Sequence, residues 1–196
     1  MVMFTGKRTT EERENVKETE VLERLKTLSP TLQIEYLENL NKRMNLLPGL
    51  RVLVCTKLAA LYEAKGLHAF SASILAKAAD AAVIYKDKKD LYLKVGILWL
   101  KSNEQMFASD AFKKALETET PSARKELQKV IRGYYFAEAE NFEKTGKSSK
   151  AIEFYERIMK TQQEGEDMKV IRMKLANLYQ KVGKVKESLD MKKSLQ

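Results

Sequence analysis

The stretch LAALYEAKGLHAFSASILAKA, at residues 58–78, recurs in altered form three more times along the chain. The other copies are VGILWLKSNEQMFASDAFKKA at 95–115, EAENFEKTGKSSKAIEFYERI at 138–158 and LANLYQKVGKVKESLDMKKSL at 175–195. All of them align without a gap. Self-similarity at a period of roughly 20 to 50 residues indicates a repeat protein, in which each unit buries its apolar face against its neighbours.

The aligned copies share residue types that have a packing role. A small residue comes first, as Ala59, Gly96, Ala139 and Ala176. An aromatic residue follows three positions later, as Tyr62, Trp99, Phe142 and Tyr179. Next come a turn former, as Gly66, Asn103, Gly146 and Gly183, and a second small residue, as Ser71, Ala108, Ala151 and Ser188. Small residues allow two antiparallel helices to approach closely, aromatics fill the space between helix pairs, and glycine ends a helix in the left-handed conformation.

This arrangement resembles the tetratricopeptide repeat, which has small residues at its eighth and twentieth positions and aromatics at its eleventh and twenty-fourth. The last of these positions holds a large apolar residue in the first three copies and Lys192 in the fourth. The resemblance covers roughly residues 50–196, and the copies recur at intervals of 37, 43 and 37 residues, longer than the 34 residues of the family. It therefore implies longer helices, as in the SNAP-like adaptors.

The predicted fold is an all-α, tetratricopeptide-like α-solenoid of about ten antiparallel helices. Three prolines and eight glycines in 196 residues are too few for a multi-stranded β protein. We expect an N-terminal helical hairpin over 1–49 that packs on the array, and four repeat hairpins over 50–196, the last acting as a cap. The expected helices lie near 10–27, 31–46, 50–65, 68–85, 88–102, 105–118, 122–145, 148–161, 166–182 and 185–194.

The residue types that usually carry catalysis are scarce in this sequence. Cys55 is the only cysteine and lies in an apolar run, so we interpret it as a buried thiol. His68 is the only histidine and is interpreted as a helix-start or packing residue. Gly146, Lys147 and Ser148 match the end of a phosphate-binding loop, but the glycine required five residues earlier is Asn141. The sequence thus predicts a protein that is not an enzyme and has no cofactor or metal.

Charge and hydropathy bear on location and partners. The N-terminal residues offer no apolar stretch of signal-peptide length, and no segment is long enough to span a membrane, so we expect a cytoplasmic protein. The net charge is +9, and residues 169–196 carry eight Lys or Arg against Glu187 and Asp190. Such a basic end suits a solvated helix surface, nucleic acid or an acidic partner.

The resemblance places a concave groove along the first helix of each repeat, suited to a peptide or a helix. Carried over to this sequence, the expected groove residues are Leu93, Ile97, Leu100, Phe136, Glu140, Met173 and Asn177. Leu93, Ile97 and Leu100 of the second copy are either exposed in an empty groove or covered by the helix at 122–145 or the N-terminal hairpin. Some family members hold chaperone tails with a clamp of lysines, asparagines and an arginine. Of the five corresponding positions in this chain, only Lys94 matches.

The leading functional prediction is a protein-interaction adaptor or scaffold that binds a protein or peptide partner, with an apolar or amphipathic helix as the ligand. The alternative is an RNA- or ribosome-associated factor that uses the basic C-terminal hairpin. Its expected contact residues are Arg172, Lys174, Lys181, Lys184 and Lys186. Association of the chain into a homo-oligomer is compatible with either prediction.

Overall fold

The computed structural model describes residues 16–43, 45–161 and 166–195. Within those ranges the chain forms ten helices and no strand. The helices are α1 Glu18–Thr27, α2 Pro30–Asn41, α3 Pro48–Ala64, α4 His68–Ala81, α5 Tyr85–Lys101, α6 Gln105–Glu117, α7 Pro121–Lys144, α8 Ser148–Thr161, α9 Glu166–Lys181 and α10 Val185–Lys193. The expected start of the first helix near residue 10 lies outside the described residues.

Most helix boundaries lie within a few residues of their predicted positions. Proline occupies the first turn of α2, α3 and α7, where its missing N–H costs no hydrogen bond. The prediction that the fourth helix runs to residue 85 is wrong. Ala82 and Ile84 are extended, with ψ of 129° and 124°, so α4 ends at Ala81 and the next helix begins early, at Tyr85. The β-branched pair Val83 and Ile84 in this link lowers the preference for helix.

Helices that are adjacent along the chain form the main packing contacts. α3 packs against α4, α5 against α6, α7 against α8 and α9 against α10, and α4 and α8 connect their pairs to the next helix. α2 lies against α3. Because contacts run from neighbour to neighbour and the links between helices are short, the chain is a tetratricopeptide-like α-solenoid, as the repeat pattern predicts.

Every aligned turn position ends its helix in the left-handed conformation. The φ angles are 73° at Gly66, 64° at Asn103, 74° at Gly146 and 80° at Gly183. In each copy the carbonyl of the repeat aromatic accepts a hydrogen bond from the amide five residues later, at 2.8 or 2.9 Å. This is the Schellman pattern that closes a helix. Gly146 is therefore a hairpin turn after a helix, and the phosphate-loop interpretation of Gly146-Lys147-Ser148 does not apply.

The small residues of the repeat lie where the two helices of a hairpin meet. Ser71 and Ser188 are buried, and their Oγ atoms donate to the carbonyls of Ala59 and Ala176 at 2.7 and 2.8 Å. In both hairpins the two small positions are thus joined directly. Gly96 is even more constrained, because a Cβ there would lie 2.3 Å from Cε1 of Phe112.

The core runs the length of the array as connected clusters. The largest cluster extends from Leu100 at the end of α5 through α6, α7, α8 and α9. Near the N-terminus, Val21 and Leu25 of α1 pack with Leu37 and Leu40 of α2 and with α3. In α10 only Ser188 is buried, so the last helix contributes little apolar surface to the core.

Candidate functional site

A cleft of about 380 Å³ lies between α7 and α9. Lys129, Arg132, Gly133 and Phe136 of α7 line one side, at the spacing of one helix face. Ile158 of α8 and three apolar residues of α9 complete it, namely Met168, Val170 and Ile171. A Cβ built on Gly133 would meet no atom within 4 Å, so the cleft is open above this residue. We call this surface the α7–α9 cleft.

Of the seven expected groove residues, the structure buries one. Leu100 is 2% exposed and belongs to the main core cluster, which also contains Ile131 and Tyr135 of α7. Of the two alternatives for Leu100, exposure in an empty groove is therefore excluded, and the residue is packed in the core that joins α5 to α7. Leu93 and Ile97 are half-buried and pack against the same cluster.

The expected groove residues on α7 and α9 have different surroundings. Phe136 is half-buried, and its ring meets that of Tyr155 edge-on, with centroids 5.6 Å apart. Met173 is 54% exposed, and Asn177 is exposed on the same helix. Glu140 is half-buried and forms an ion pair across the helix interface. The structure thus brings an aromatic, a thioether and a carboxylate to the α7 and α9 surface.

Lys174 of α9 is the centre of a charged cluster on this surface. Its Nζ lies 3.1 Å from Oε1 of Glu140 and 3.1 Å from Oε2 of Glu143. The same ammonium lies 5.7 Å from the ring centroid of Phe136 and 5.8 Å from that of Tyr155. Burial acts to lower the pKa of Lys174, but the hydrogen bonds that its ammonium donates to the two glutamates outweigh it and raise the pKa above its ordinary value.

Tyr155 lies beneath this cluster. It is fully buried, and its hydroxyl donates to Oε2 of Glu143 at 3.2 Å. Burial raises the pKa of Tyr155 to about 12, with Lys174 opposing the shift and Glu143 reinforcing it. The tyrosine therefore stays neutral at physiological pH and acts as a packing and hydrogen-bonding residue.

An equivalent ion-pair cluster joins α3 to α5. Glu63 accepts from Lys94 at 3.0 Å and lies 3.6 Å from Lys101. Burial acts to raise the pKa of Glu63, but the two lysines outweigh it and lower the pKa. Lys94, which corresponds to one position of the chaperone-tail clamp, is already paired within the chain. First helices of successive repeats are thus connected by ion pairs in two places.

The five basic residues of the alternative prediction do not form one free surface. Lys174 is held by Glu140 and Glu143, and Nη1 of Arg172 donates to the carbonyl of Ser194 at 3.2 Å. Lys181, Lys184 and Lys186 are exposed, and Lys184 lies 5.7 Å from the ring centroid of Tyr179. Of the five, these three lysines are the exposed ones, and they lie around the turn between α9 and α10.

The cysteine and histidine lie as the sequence predicts. Cys55 is fully buried, with its Sγ 3.3 Å from Oδ1 of Asn41. Burial raises the pKa of the Cys55 thiol, with Lys77 and Arg51 opposing that shift, which disfavours a reactive thiolate. His68 is the first residue of α4 and is half-buried. Among the described residues, no three His, Cys, Asp or Glu side chains form a group that could hold a metal ion.

Sequence reasoning missed a second cleft, of about 480 Å³, between α6, α7 and α8. Its lining alternates apolar side chains with cations and contains no acid: Ser109, Phe112, Lys113, Leu116, Gln128, Ile131, Arg132, Tyr135, Arg157, Ile158 and Lys160. We call this surface the α6–α8 cleft. The pattern within one copy does not indicate it, because its lining combines residues of the second and third copies.

Comparisons with known proteins give a general likeness to helical proteins. No family model matches the chain, and no curated protein matches it in sequence. A crystal structure of MamA is 19% identical, covers 92% of this chain and 93% of its own, and has a TM-score of 0.41. BtubC from P. vanneervenii is 15% identical, covers 88% of this chain and 74% of its own, and has a TM-score of 0.40. Similarity at this level says nothing of activity, and the fold assignment rests on the helix packing described above.

None of the helices in the described ranges is long and apolar enough to cross a membrane.

Proposed function

We propose that this chain is a non-catalytic protein-interaction scaffold that holds a peptide or helix of a partner along the inner surface formed by α7 and α9. The observation that supports it is the α7–α9 cleft, which is open at Gly133 and apolar at Phe136 and Val170. Gly133, Phe136 and Val170 all occupy positions that line the groove of tetratricopeptide repeats. The α7 helix has 24 residues, which fits the long-helix, SNAP-like variant of this proposal.

The shape and chemistry of the cleft suit an amphipathic helix. Val170 is 43% exposed and Met173 54% exposed on α9, which leaves apolar surface for a partner to cover. Glu140 and Asn177 lie further along α7 and α9, where they would meet the polar side of such a ligand. An apolar face on a helix is recognised through side chains at three- and four-residue spacing, and the exposed Met173 adapts readily to such contacts.

The same proposal covers the organisation of the chain. Residues 1–49 would form an N-terminal unit packed on the array, and α9 with α10 would close its other end. The exposed Val185 and Leu189 among the lysines of α10 suit a terminal unit with one face in water. Cytoplasmic location belongs to the proposal as well.

Partner capture with surface variants tests the binding surface. Met173→Glu alone, and Phe136→Glu with Met173→Glu, place carboxylates on the α7–α9 surface without changing the repeat anchors. We expect both variants to lose at least about nine-tenths of a partner recovered from native lysate by the unchanged chain, because burying an unpaired charge is costly. Circular dichroism checks that each variant keeps its helices.

The matched control changes equally exposed apolar residues elsewhere. Met106 is 76% and Val185 62% exposed, and they belong to α6 and α10 rather than to α7 or α9. Met106→Glu with Val185→Glu should leave recovery unchanged. Undiminished recovery with Met173→Glu and with the double variant, or equal loss in the control, would remove the α7–α9 surface from consideration.

The RNA-associated alternative depends on Lys181, Lys184 and Lys186, since Lys174 is paired with glutamates and Arg172 donates to a backbone carbonyl within the chain. A filter-binding series with single-stranded RNA across salt concentrations distinguishes it from the scaffold. Phosphate contacts produce an affinity that falls steeply with salt. Retention of RNA at low salt, lost on changing the three lysines to Gln, would favour the alternative over the scaffold.

A further inference from the structure

The α6–α8 cleft lies where residues of α6 and α7 face each other beside α8. α6 contributes Ser109, Phe112, Lys113 and Leu116, and α7 contributes Gln128, Ile131, Arg132 and Tyr135. Both sets have the spacing of residues that share one helix face. Such a face normally packs against a neighbouring helix. Here the two faces, with part of α8, enclose an open space of about 480 Å³.

Loose packing between α6 and α7 leaves this space. α6 packs far less closely against α7 than α4 does against α5. α7 has 24 residues and α5 has 17, but the lining residues Gln128 and Tyr135 align with Tyr85 and Tyr92 of α5. The cleft therefore lies beside the part of α7 that α5 also has, and the additional residues at the start of α7 do not line it.

The charges around the cleft are all of one sign. Lys113, Arg132, Arg157 and Lys160 line it, and no lining residue is acidic. In the described part of the chain none of these cations has a carboxylate within the 4.0 Å of an ion pair. A cleft with cations of one sign and apolar walls concentrates its electric field and attracts anions.

Acidic residues near the cleft do not change the positive charge of its α6 and α7 sides. Arg157 and Lys160 also border a separate depression that contains acidic residues, namely Glu104, Asp110, Glu153 and Glu156. Glu156 accepts from the hydroxyl of Tyr179 at 2.7 Å. Arg132 and Lys113 do not line that depression, so the two sides of the α6–α8 cleft formed by α6 and α7 remain purely cationic.

The floor of the cleft is apolar. Phe112, Ile131, Tyr135 and Ile158 form it and are less than a tenth exposed, and Leu116 is half-buried at its edge. Phe112 and Tyr135 meet edge-on, with ring centroids 5.7 Å apart. Their ring faces are thus engaged in the core, which disfavours base stacking and hence single-stranded RNA as the occupant. Inorganic phosphate would leave the apolar floor uncovered.

We propose that the α6–α8 cleft binds a short acidic segment of a partner protein, with carboxylates on the Lys113, Arg132, Arg157 and Lys160 rim and a large apolar side chain on the floor. Arginine holds carboxylates in paired hydrogen bonds, and two of the four cations are arginines. The volume suits a few side chains of a peptide. This surface adjoins the α7–α9 cleft at Arg132 and Ile158 but needs none of the other residues there.

Fluorescence anisotropy with the full chain tests this proposal. The probe is a fluorescein-labelled peptide, Glu-Glu-Leu-Phe-Glu-Glu, and the comparison peptide has Ser-Ser in place of Leu-Phe. We expect the first peptide to bind to the unchanged chain. The double variant Lys113→Gln with Lys160→Gln should lower the affinity for this peptide at least about tenfold, because charge-assisted hydrogen bonds are lost. Both lysines are exposed, so the variant should fold. The Ser-Ser peptide should bind several-fold more weakly than the first.

The control removes the same charge elsewhere. Lys86 and Lys193 are exposed and lie outside the cleft, and Lys86→Gln with Lys193→Gln should bind as the unchanged chain does. No binding of the acidic peptide, an equal loss in this control, equal affinity for the Ser-Ser peptide, or displacement of the peptide by uridine 12-mer RNA at equal concentration would each overturn the proposal.

Failure here is distinguishable from failure of the proposed scaffold. Met173→Glu, which tests the α7–α9 surface, should leave affinity for the acidic peptide unchanged. If partner capture fails while the acidic peptide still binds and responds to Lys113→Gln with Lys160→Gln, the α6–α8 cleft stands by itself.

Discussion

Among the glycines that the structure describes, Gly96 leaves the least room for a side chain. It is the first small residue of the second copy, where the other copies have alanine. In this hairpin Phe112 of α6 turns its ring against the α5 backbone, so that a Cβ on Gly96 would lie 2.3 to 2.6 Å from three ring atoms. Gly96 and Phe112 therefore form a complementary pair in this copy, because the ring occupies the space that a Cβ would need.

Changing Gly96 to Ala should lower the free energy of unfolding by about 1 to 3 kcal/mol, because the ring of Phe112 is buried and has to shift. Urea unfolding followed by circular dichroism measures it. Gly133→Ala is the control, since its Cβ meets open space within a helix, and it should raise stability by about 0.5 to 1 kcal/mol. Gly96→Ala with Phe112→Leu should recover part of the loss. Equal stability of both alanine variants would contradict this account.

At the scale of an element, the turns show how one backbone requirement is met by two residue types. Three copies end their first helix with glycine, and the second copy uses Asn103 at a φ of 64°. Asparagine tolerates the left-handed region better than other residues with a Cβ. Gly146 ends α7 at a φ of 74°, with no atom near the position of a Cβ. A substitution there tests backbone strain without any steric clash.

Gly146→Ala should destabilise the chain by about 1 to 2 kcal/mol, which is the cost of the left-handed conformation for a residue with a Cβ. Gly146→Asn should cost less, since asparagine already serves at the equivalent position 103. Thermal unfolding of the two variants under the same conditions gives the comparison. If alanine and asparagine proved equally harmful, or if neither had any effect, the helix-ending role of this turn would be refuted.

Over the whole molecule, stability should follow position in the stack. Each helix contacts mainly its neighbours, so a helix at an end lacks one of its partners. α10 buries only Ser188, and α1 buries only Val21 and Leu25. α5 and α7 bury more residues and lie within the stack. The ends are therefore the regions most ready to unfold locally.

Hydrogen exchange measured by mass spectrometry should show this gradient. Amides of α4, α5 and α7 should exchange at least about tenfold more slowly than amides in the middle of α10, because opening the terminal helix disrupts fewer buried contacts. The interior of α10 is compared with the interior of α7, so that fraying of helix ends does not affect the result. Uniform exchange rates across the helices would show that the chain unfolds as one cooperative unit.

Which of the expected site residues stay accessible was harder to predict than the helices, as Leu100 and Lys174 illustrate. Leu100 has the spacing of a groove residue, but α7 packs against the same cluster and buries it. Lys174 has the positive charge of a phosphate contact, but carboxylate oxygens of Glu140 and Glu143 each lie 3.1 Å from its ammonium. Each outcome depends on a residue of another repeat, and intervals within one copy contain no information about that residue.

The sequence by itself determined the helices, the left-handed turns and the small contact residues, because each depends on backbone preference and on neighbours a few positions away. Only the tertiary structure decided which faces stay open. The burial of Leu100, the pairing of Lys174 and the α6–α8 cleft follow from where α7 brings residues from separate repeats together. Such contacts are set by the packing of whole helices, so they could be identified only once the helices were in place.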